Sequence, residues 1–253
     1  MRSRPSYCLL IALGLLAAAP TAGQDKKGDK AVPRVIVVLP LAAAPGATTR
    51  LTLRGLKLDD ATDVQFADDR VTVKIVSKGK ANVPDKNPDK VGDTQLIVEV
   101  MLPAGLPAEP LPFVVFTAKE KSKPHKLLIE GTVAVIAEKE PNDGFKQATA
   151  IKLPQVITGS IDRATDVDVF RFEGKMGQKI IAEVVAARHG SALDAMLTLY
   201  DSGGEQLASN NGGAEGVDAL LEATLPRDGV YYLSLIDVHD AGGPTHIYRL
   251  LVH

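Results

Sequence analysis

The sequence contains no tryptophan, and aromatic residues make up only 4% of its 253 residues. A core must therefore be built from Val, Ile, Leu and Ala, and recognition by aromatic stacking, as in single-stranded nucleic-acid binding, is not expected. The formal net charge of −2 gives no general attraction to nucleic acid or to acidic lipid. We therefore expect no nucleic-acid partner.

Cysteine is almost absent as well, since Cys8 is the only one. It stands at the start of an apolar run that extends to Ala19, whereas the acceptor cysteine of a lipoprotein would stand at the end of such a run. Arg2 and Arg4 precede the run, and small residues and a polar stretch follow it, which is typical of a secretory signal peptide. We predict a signal peptide at residues 1–23 and a flexible linker at residues 24–33. The exported chain would then contain no disulfide.

Long hydrophobic runs are also lacking after the predicted signal peptide. No later stretch approaches the ~18 apolar residues that a membrane-spanning helix requires. We expect no membrane span, and a secreted, periplasmic or cell-surface location.

Catalytic motifs are missing: the sequence has no Gly-x-Ser-x-Gly elbow, no His-Glu-x-x-His and no Gly-rich phosphate loop with a lysine. His189, Ser191 and Asp194 are the three residue types of a catalytic triad, but a triad requires convergence in space and not closeness along one loop. None of the five histidines is paired with another at i+4, so a zinc site is not indicated. We predict a non-enzyme, with a hydrolase of unrecognised site as the remaining alternative.

What is present is a series of short strand-like segments separated by Pro, Gly and Asp. This spacing is typical of antiparallel sandwiches and not of βαβ units. We predict an all-β protein of two tandem antiparallel β-sandwiches, at residues 34–136 and 137–253. The polar stretch from Lys78 to Asp93 is predicted to be an exposed loop, and Phe145 to Ala150 one short helical turn.

The second half carries an ordered set of short motifs. They are Glu138-Lys139-Glu140-Pro141-Asn142-Asp143, Gly159-Ser160-Ile161, Asp166-Val167-Asp168-Val169-Phe170-Arg171-Phe172, Leu197-Thr198-Leu199-Tyr200-Asp201, Gly229-Val230-Tyr231-Tyr232-Leu233 and Tyr248-Arg249-Leu250. In this order they resemble the bacterial pre-peptidase C-terminal domain family, which implies a jelly-roll-like sandwich at residues 137–253. Such domains usually accompany secreted peptidases as accessory modules, but this chain holds no peptidase domain beside it.

The first half is similar, on fewer residues, to the immunoglobulin-like domains called IPT/TIG. The residues that carry this similarity are Pro45-Gly46-Ala47-Thr48 and Thr52-Leu53-Arg54-Gly55-Leu56. The resemblance implies an immunoglobulin-like sandwich at residues 34–136.

An acidic segment opens the second half, where Glu138, Glu140, Asn142 and Asp143 supply several side-chain oxygens within six residues. Calcium takes six to eight oxygen ligands, so a second contributor is needed, and Asp166 or Asp168 is the natural candidate. In related collagen-binding domains the Glu-x-Glu-Pro-Asn-Asp stretch is a calcium site, so the resemblance implies a structural Ca²⁺ here.

Two other interpretations of this segment stay open at the level of sequence. Asn142-Asp143-Gly144 is an ordinary turn sequence, and Asp143 could cap a short helix that begins near Phe145. Clustered acids can also be plain solvated surface.

Tyr232 is a candidate ligand contact, because on a regular strand it faces away from Tyr231 and Leu233. An outward tyrosine could contact a sugar or an extended peptide, or it could pack against the N-terminal half. We therefore expect a secreted accessory or binding module for extracellular protein or polysaccharide. The alternative is a structural component of the cell envelope or of adhesion, with the two sandwiches as spacers.

Overall fold

The computed structural model describes residues 32–83, 87–213 and 217–253. The predicted signal peptide and most of the predicted linker therefore lie outside the described residues. Within them, the chain is almost entirely strand, with one helical turn, α1 (Pro88–Val91), and a 3-10 turn at Ala187–His189. No helix among the described residues is long and apolar enough to cross a membrane. The all-β prediction is confirmed.

Nine strands lie N-terminal to the acidic segment. They are β1 (Arg34–Leu39), β2 (Ala42–Ala43), β3 (Thr48–Leu56), β4 (Ala61–Phe66), β5 (Thr72–Lys80), β6 (Thr94–Met101), β7 (Leu111–Thr117), β8 (His125–Ile129) and β9 (Val135–Ala137). The first eight form two four-stranded sheets, in the orders β1-β3-β6-β5 and β2-β8-β7-β4. Leu51, Leu53, Val98 and Val100 from β3 and β6 are buried in one apolar core between them.

Nine further strands follow the acidic segment. They are β10 (Thr149–Ala150), β11 (Gln155–Ser160), β12 (Asp168–Gly174), β13 (Lys179–Val185), β14 (Ala195–Asp201), β15 (Gln206–Asn210), β16 (Leu220–Thr224), β17 (Gly229–Asp237) and β18 (Ile247–Val252). With β9 they form two five-stranded sheets, in the orders β10-β12-β17-β14-β15 and β16-β13-β18-β11-β9. A second, separate core lies between these sheets.

Strand alternation explains the faces of the second sandwich. Phe170 and Phe172 on β12, and Tyr231, Leu233 and Leu235 on β17, are buried in its core as the period of two requires. Their neighbours in sequence face outward, which places Arg171 beside Tyr232 in the antiparallel register of the two strands. The outer face of this sheet is therefore partly aromatic and partly charged.

Three features differ from the expectations. The sheets are not purely antiparallel, because the short strands β2, β9 and β10 pair in parallel with β8, β11 and β12. The stretch from Lys78 to Asp93 is not all loop: β5 continues through Lys80, where its residues pair with β6, and α1 follows. A helical turn was expected at Phe145–Ala150. The structure has a single turn at residues 144–147, and Thr149 and Ala150 form strand β10.

The boundary at 136/137 falls within β9, which belongs to a C-terminal sheet through its pairing with β11. The division into domains at this point stays a prediction. The two halves also meet directly. The Arg249 guanidinium on β18 donates to both carboxylate oxygens of Glu130, over 2.9–3.2 Å.

Candidate functional site

The acidic segment lies against the N-terminal end of β12. Glu138 is fixed at the end of β9, where its N–H donates to the carbonyl of Thr158 on β11 at 2.9 Å. Asn142, which is fully buried, accepts at its backbone carbonyl from the N–H of Val169 on β12 at 3.1 Å. Two strands of opposite sheets therefore hold the two ends of the segment.

Asn142 organises the acids around it. Its backbone N–H donates to Glu140 Oε2 at 3.0 Å, and its side-chain NH₂ donates to Glu138 Oε2 at 2.9 Å. Its Oδ1 atom is buried and has no hydrogen-bond partner. A buried carbonyl oxygen without a donor is costly, so this atom is suited to a cation.

Asp168 is the second fully buried member. Its Oδ2 accepts from the Tyr248 hydroxyl at 2.6 Å, whereas Oδ1 is buried without a hydrogen-bond partner. Burial, and next the neighbouring Glu138, raise the pKa of Asp168 to about 8. Burial thus disfavours the charged form of Asp168.

Five of the six predicted ligands form two overlapping groups, and the sixth, Asn142, hydrogen-bonds to Glu138 and Glu140. Carboxylate oxygens of Glu138, Glu140 and Asp168 lie within 4.8 Å of one another, and so do those of Glu140, Asp143 and Asp166. Glu140 belongs to both groups, and its pKa is raised, chiefly by burial. Asp168 belongs to the first group and Asp166 to the second. Both candidates for additional ligands therefore lie close to the acidic segment.

Arg163 balances the outer group. Its guanidinium lies 2.5 Å from Asp143 Oδ1, 3.0 Å from Asp166 Oδ1 and 3.7 Å from Glu140 Oε1. The carboxylates of Asp166 and Asp143 raise the pKa of Arg163. In the outer group, Asp166 Oδ1 has no hydrogen bond but is paired with Arg163. The inner group of Glu138, Glu140 and Asp168, together with the adjoining Asn142, contains two buried oxygens without a hydrogen-bond partner, Asp168 Oδ1 and Asn142 Oδ1.

The residues present fit a calcium ion at the inner group. Its donors are all oxygens, which calcium prefers, and two of them are buried and unpartnered. When bound, the ion would neutralise carboxylates that otherwise repel one another. The structure has a turn at residues 144–147, which begins at the last residue of the predicted Asn142-Asp143-Gly144 turn, and Asp143 binds Arg163. Calcium binding itself stays a prediction.

Sequence reasoning missed three residues of this cluster. Tyr248 lies 80 residues from Asp168, and Arg163 lies 20 residues from Asp143, so no local spacing joins either of them to the acidic segment. Gly159 is the third: a Cβ atom there would lie 2.4 Å from both Glu138 Cγ and Tyr248 Oη. Only glycine lets the tyrosine hydroxyl pass β11 to reach Asp168.

Tyr232 lies on the outer face of β17, as predicted, but its ring is covered from within the same half. Phe145, from the turn after the acidic segment, stacks on it with 4.2 Å between ring centroids and 12° between ring planes. Phe145 also contacts Tyr200 at 5.4 Å. The ring contact that the structure gives Tyr232 therefore comes from the second half, and a ligand contact at Tyr232 stays a prediction.

The residues considered for a triad do not converge. Ser191 Oγ donates to the carbonyl of Thr245 at 3.0 Å, and Asp194 lies 3.3 Å from His239. His189 is instead close to His125 of the N-terminal half, and burial lowers the pKa values of both.

Comparison with known proteins identifies a family resemblance in the second half. Residues 166–236 match the family model of the bacterial pre-peptidase C-terminal domain. The expected resemblance of the second half is confirmed over this range. The range includes Asp168, the first residue of β12, and Asp166, two residues before it. The pre-peptidase C-terminal match ends at Ile236, one residue before the end of β17.

A curated relative extends the similarity. The chain is 35% identical over 114 residues to a probable subtilase-type serine protease of Deinococcus radiodurans. The matched region covers 43% of this chain but only 16% of that protease. The similarity therefore concerns a small part of the protease.

Solved structures show more distant likeness. One is the pre-peptidase C-terminal domain of a collagenase from Bacillus anthracis, with 20% identity, a TM-score of 0.35, and coverage of 46% of this chain and all of that one. Another is PliG of Aeromonas hydrophila, a periplasmic inhibitor of g-type lysozyme, with 17% identity, a TM-score of 0.32, and coverage of 47% and 95%.

Proposed function

We propose that this protein is an exported, non-catalytic accessory or binding module that contacts extracellular protein or polysaccharide, and whose second sandwich is stabilised by Ca²⁺. The family match supports the module. The observation that supports the ion is the pair of buried, unpartnered oxygens, Asn142 Oδ1 and Asp168 Oδ1, beside Glu138 and Glu140. The ion would tie the acidic segment to β12 and so close one end of the sandwich.

The stabilisation follows from mass action. An ion that binds only the folded state stabilises it by about 2.7 kcal/mol when its free concentration is 100 times its dissociation constant. For a chain of this size, that corresponds to a rise of about 5–10 °C in Tm. We expect this rise when millimolar calcium replaces EDTA in thermal unfolding of the purified protein.

Variants separate the inner group from general charge effects. Glu140→Ala and Asp168→Asn each remove a ligand of the inner group and should abolish the calcium-dependent rise. Glu99→Ala removes a partly exposed acid of β6 that pairs with Lys74, and should retain the rise. An equal calcium response in all four proteins would contradict the site.

The second candidate is a structural spacer of the cell envelope. The bidentate pair between Glu130 and Arg249 favours it, because the Glu130 side chain is 8% exposed and the Arg249 side chain 18% exposed. Such a pair keeps the two halves in fixed contact. A binding screen on extracellular proteins and polysaccharides discriminates: a specific ligand supports the binding module, and none supports the spacer.

A further inference from the structure

The edge of β12 is paired over only part of its length. The two-residue strand β10 pairs with Phe170 and Arg171, and the ladder ends with the N–H of Ile151 donating to the carbonyl of Arg171 at 2.9 Å. Val169 uses the same edge to donate to Asn142. Because edge-facing positions alternate, the N–H and C=O of Glu173 face this edge too. No strand of the described ranges pairs with Glu173 there.

A groove lies at this open position. Its first part has a volume of about 520 Å³, and Ile151, Leu153, Phe172 and Val230 provide its apolar lining. A second cavity of about 500 Å³ shares Glu173 and Val230 with it and continues toward Lys175. The groove therefore follows the direction of β12 past the point at which β10 ends.

The groove carries three cationic side chains, Lys152, Arg171 and Lys175, and two acidic ones, Glu173 and Asp228. Lys152 and Arg171 line its first part. Neither side chain forms a hydrogen bond or an ion pair with any residue in the described part of the chain. An occupant with carboxylates on the outward side would supply the missing counter-charges.

We propose that this groove binds an extended acidic peptide segment, which adds as a short strand beside β12. A strand satisfies the open backbone position, places alternate side chains on the apolar lining, and places the others toward Lys152 and Arg171. A polysaccharide fits less well, because the Tyr232 ring next to Arg171 is already covered by Phe145 and is not free to stack on a sugar. This inference rests on the proposed binding function and specifies the chemistry of its partner.

The test uses the purified protein and a capped eight-residue peptide of alternating Glu and Val. A Lys-Val peptide of the same length, polygalacturonate and a neutral β-glucan are the competing probes. Binding is measured by calorimetry, and hydrogen exchange reports on the amide of Glu173. We expect binding of the Glu-Val peptide alone, with increased protection of the Glu173 amide.

Charge reversal then tests the site. Lys152→Glu with Arg171→Glu should weaken binding at least tenfold. Lys119→Glu with Lys121→Glu makes the same change of charge on a surface hairpin of the N-terminal half, and should leave binding unchanged. Circular dichroism verifies that both double variants are folded.

Failure of the Glu-Val peptide to bind, equal binding to both double variants, or unchanged protection at Glu173 overturns the proposal, as does preferential binding of polygalacturonate. The calcium-dependent rise in Tm is measured on the same preparations. If that rise persists while the peptide fails, the groove proposal is wrong and the calcium-stabilised module stands.

Discussion

Gly159 lies where the residues of the acidic cluster are most crowded. Replacing it with alanine would bring a Cβ within 2.4 Å of both Glu138 Cγ and the Tyr248 hydroxyl. One or both must move, so we expect Gly159→Ala to lower the free energy of unfolding by about 1–3 kcal/mol, as overpacking typically does. The calcium-dependent rise in Tm should shrink as well, because Glu138 is displaced.

The matched control is Gly79→Ala on β5, where an added Cβ meets no atom within 4 Å. It removes a strand glycine without a clash, so we expect it to be neutral or slightly stabilising in urea unfolding. Equal stability of the two variants would show that the Tyr248–Asp168 contact does not depend on Gly159.

The turn after the acidic segment contacts the outer face of β17 through Phe145, which stacks on Tyr232. Because stacked aromatic pairs contribute about 0.5–1.5 kcal/mol beyond burial, Phe145→Ala should lower the free energy of unfolding by about 1–2 kcal/mol. Met176→Ala is the control, since this side chain is 72% exposed. Urea unfolding of both variants measures the difference, and an equally small effect would mean that the stack with Tyr232 adds no stability.

Strand length decided which strands could be predicted from the sequence. Long alternating segments such as β6 and β12 were predictable, because one buried face imposes a period of two over seven or eight residues. Strands β2 and β10 have two residues each, too few for any period, and they exist only because a neighbouring strand offers a partner. The acidic segment was predictable because its residues are local, whereas Arg163 and Tyr248 were not, because only the folded sheets bring them to it.

His125 of β8 lies within the electrostatic influence of His189 from the second half. Burial, and next the charge of His189, lower the pKa of His125 to about 4, below the ordinary 6.5. The folded state therefore binds fewer protons than the unfolded chain between these values, so stability present above pH 6.5 is lost as the pH falls toward 4. The loss is about 2–3 kcal/mol for this group.

His125→Gln cannot take up this proton. We expect its unfolding free energy to fall less steeply than that of the wild type between pH 6.5 and 4, as measured by urea titrations at several pH values. His253→Gln, at an exposed position, should follow the wild type. Parallel curves for all three proteins would assign the acid sensitivity to other groups.

The position of β18 in its sheet has a consequence for export. It lies third of five strands, between β13 and β11, and carries both Tyr248 and Arg249. A chain that is threaded from its N-terminus can complete the first sandwich early, because that core uses no residue beyond Ile129. In the export that we propose, the second sandwich would lack its middle strand until residues 247–252 emerged, so the contacts of Tyr248 with Asp168 and of Arg249 with Glu130 would form last.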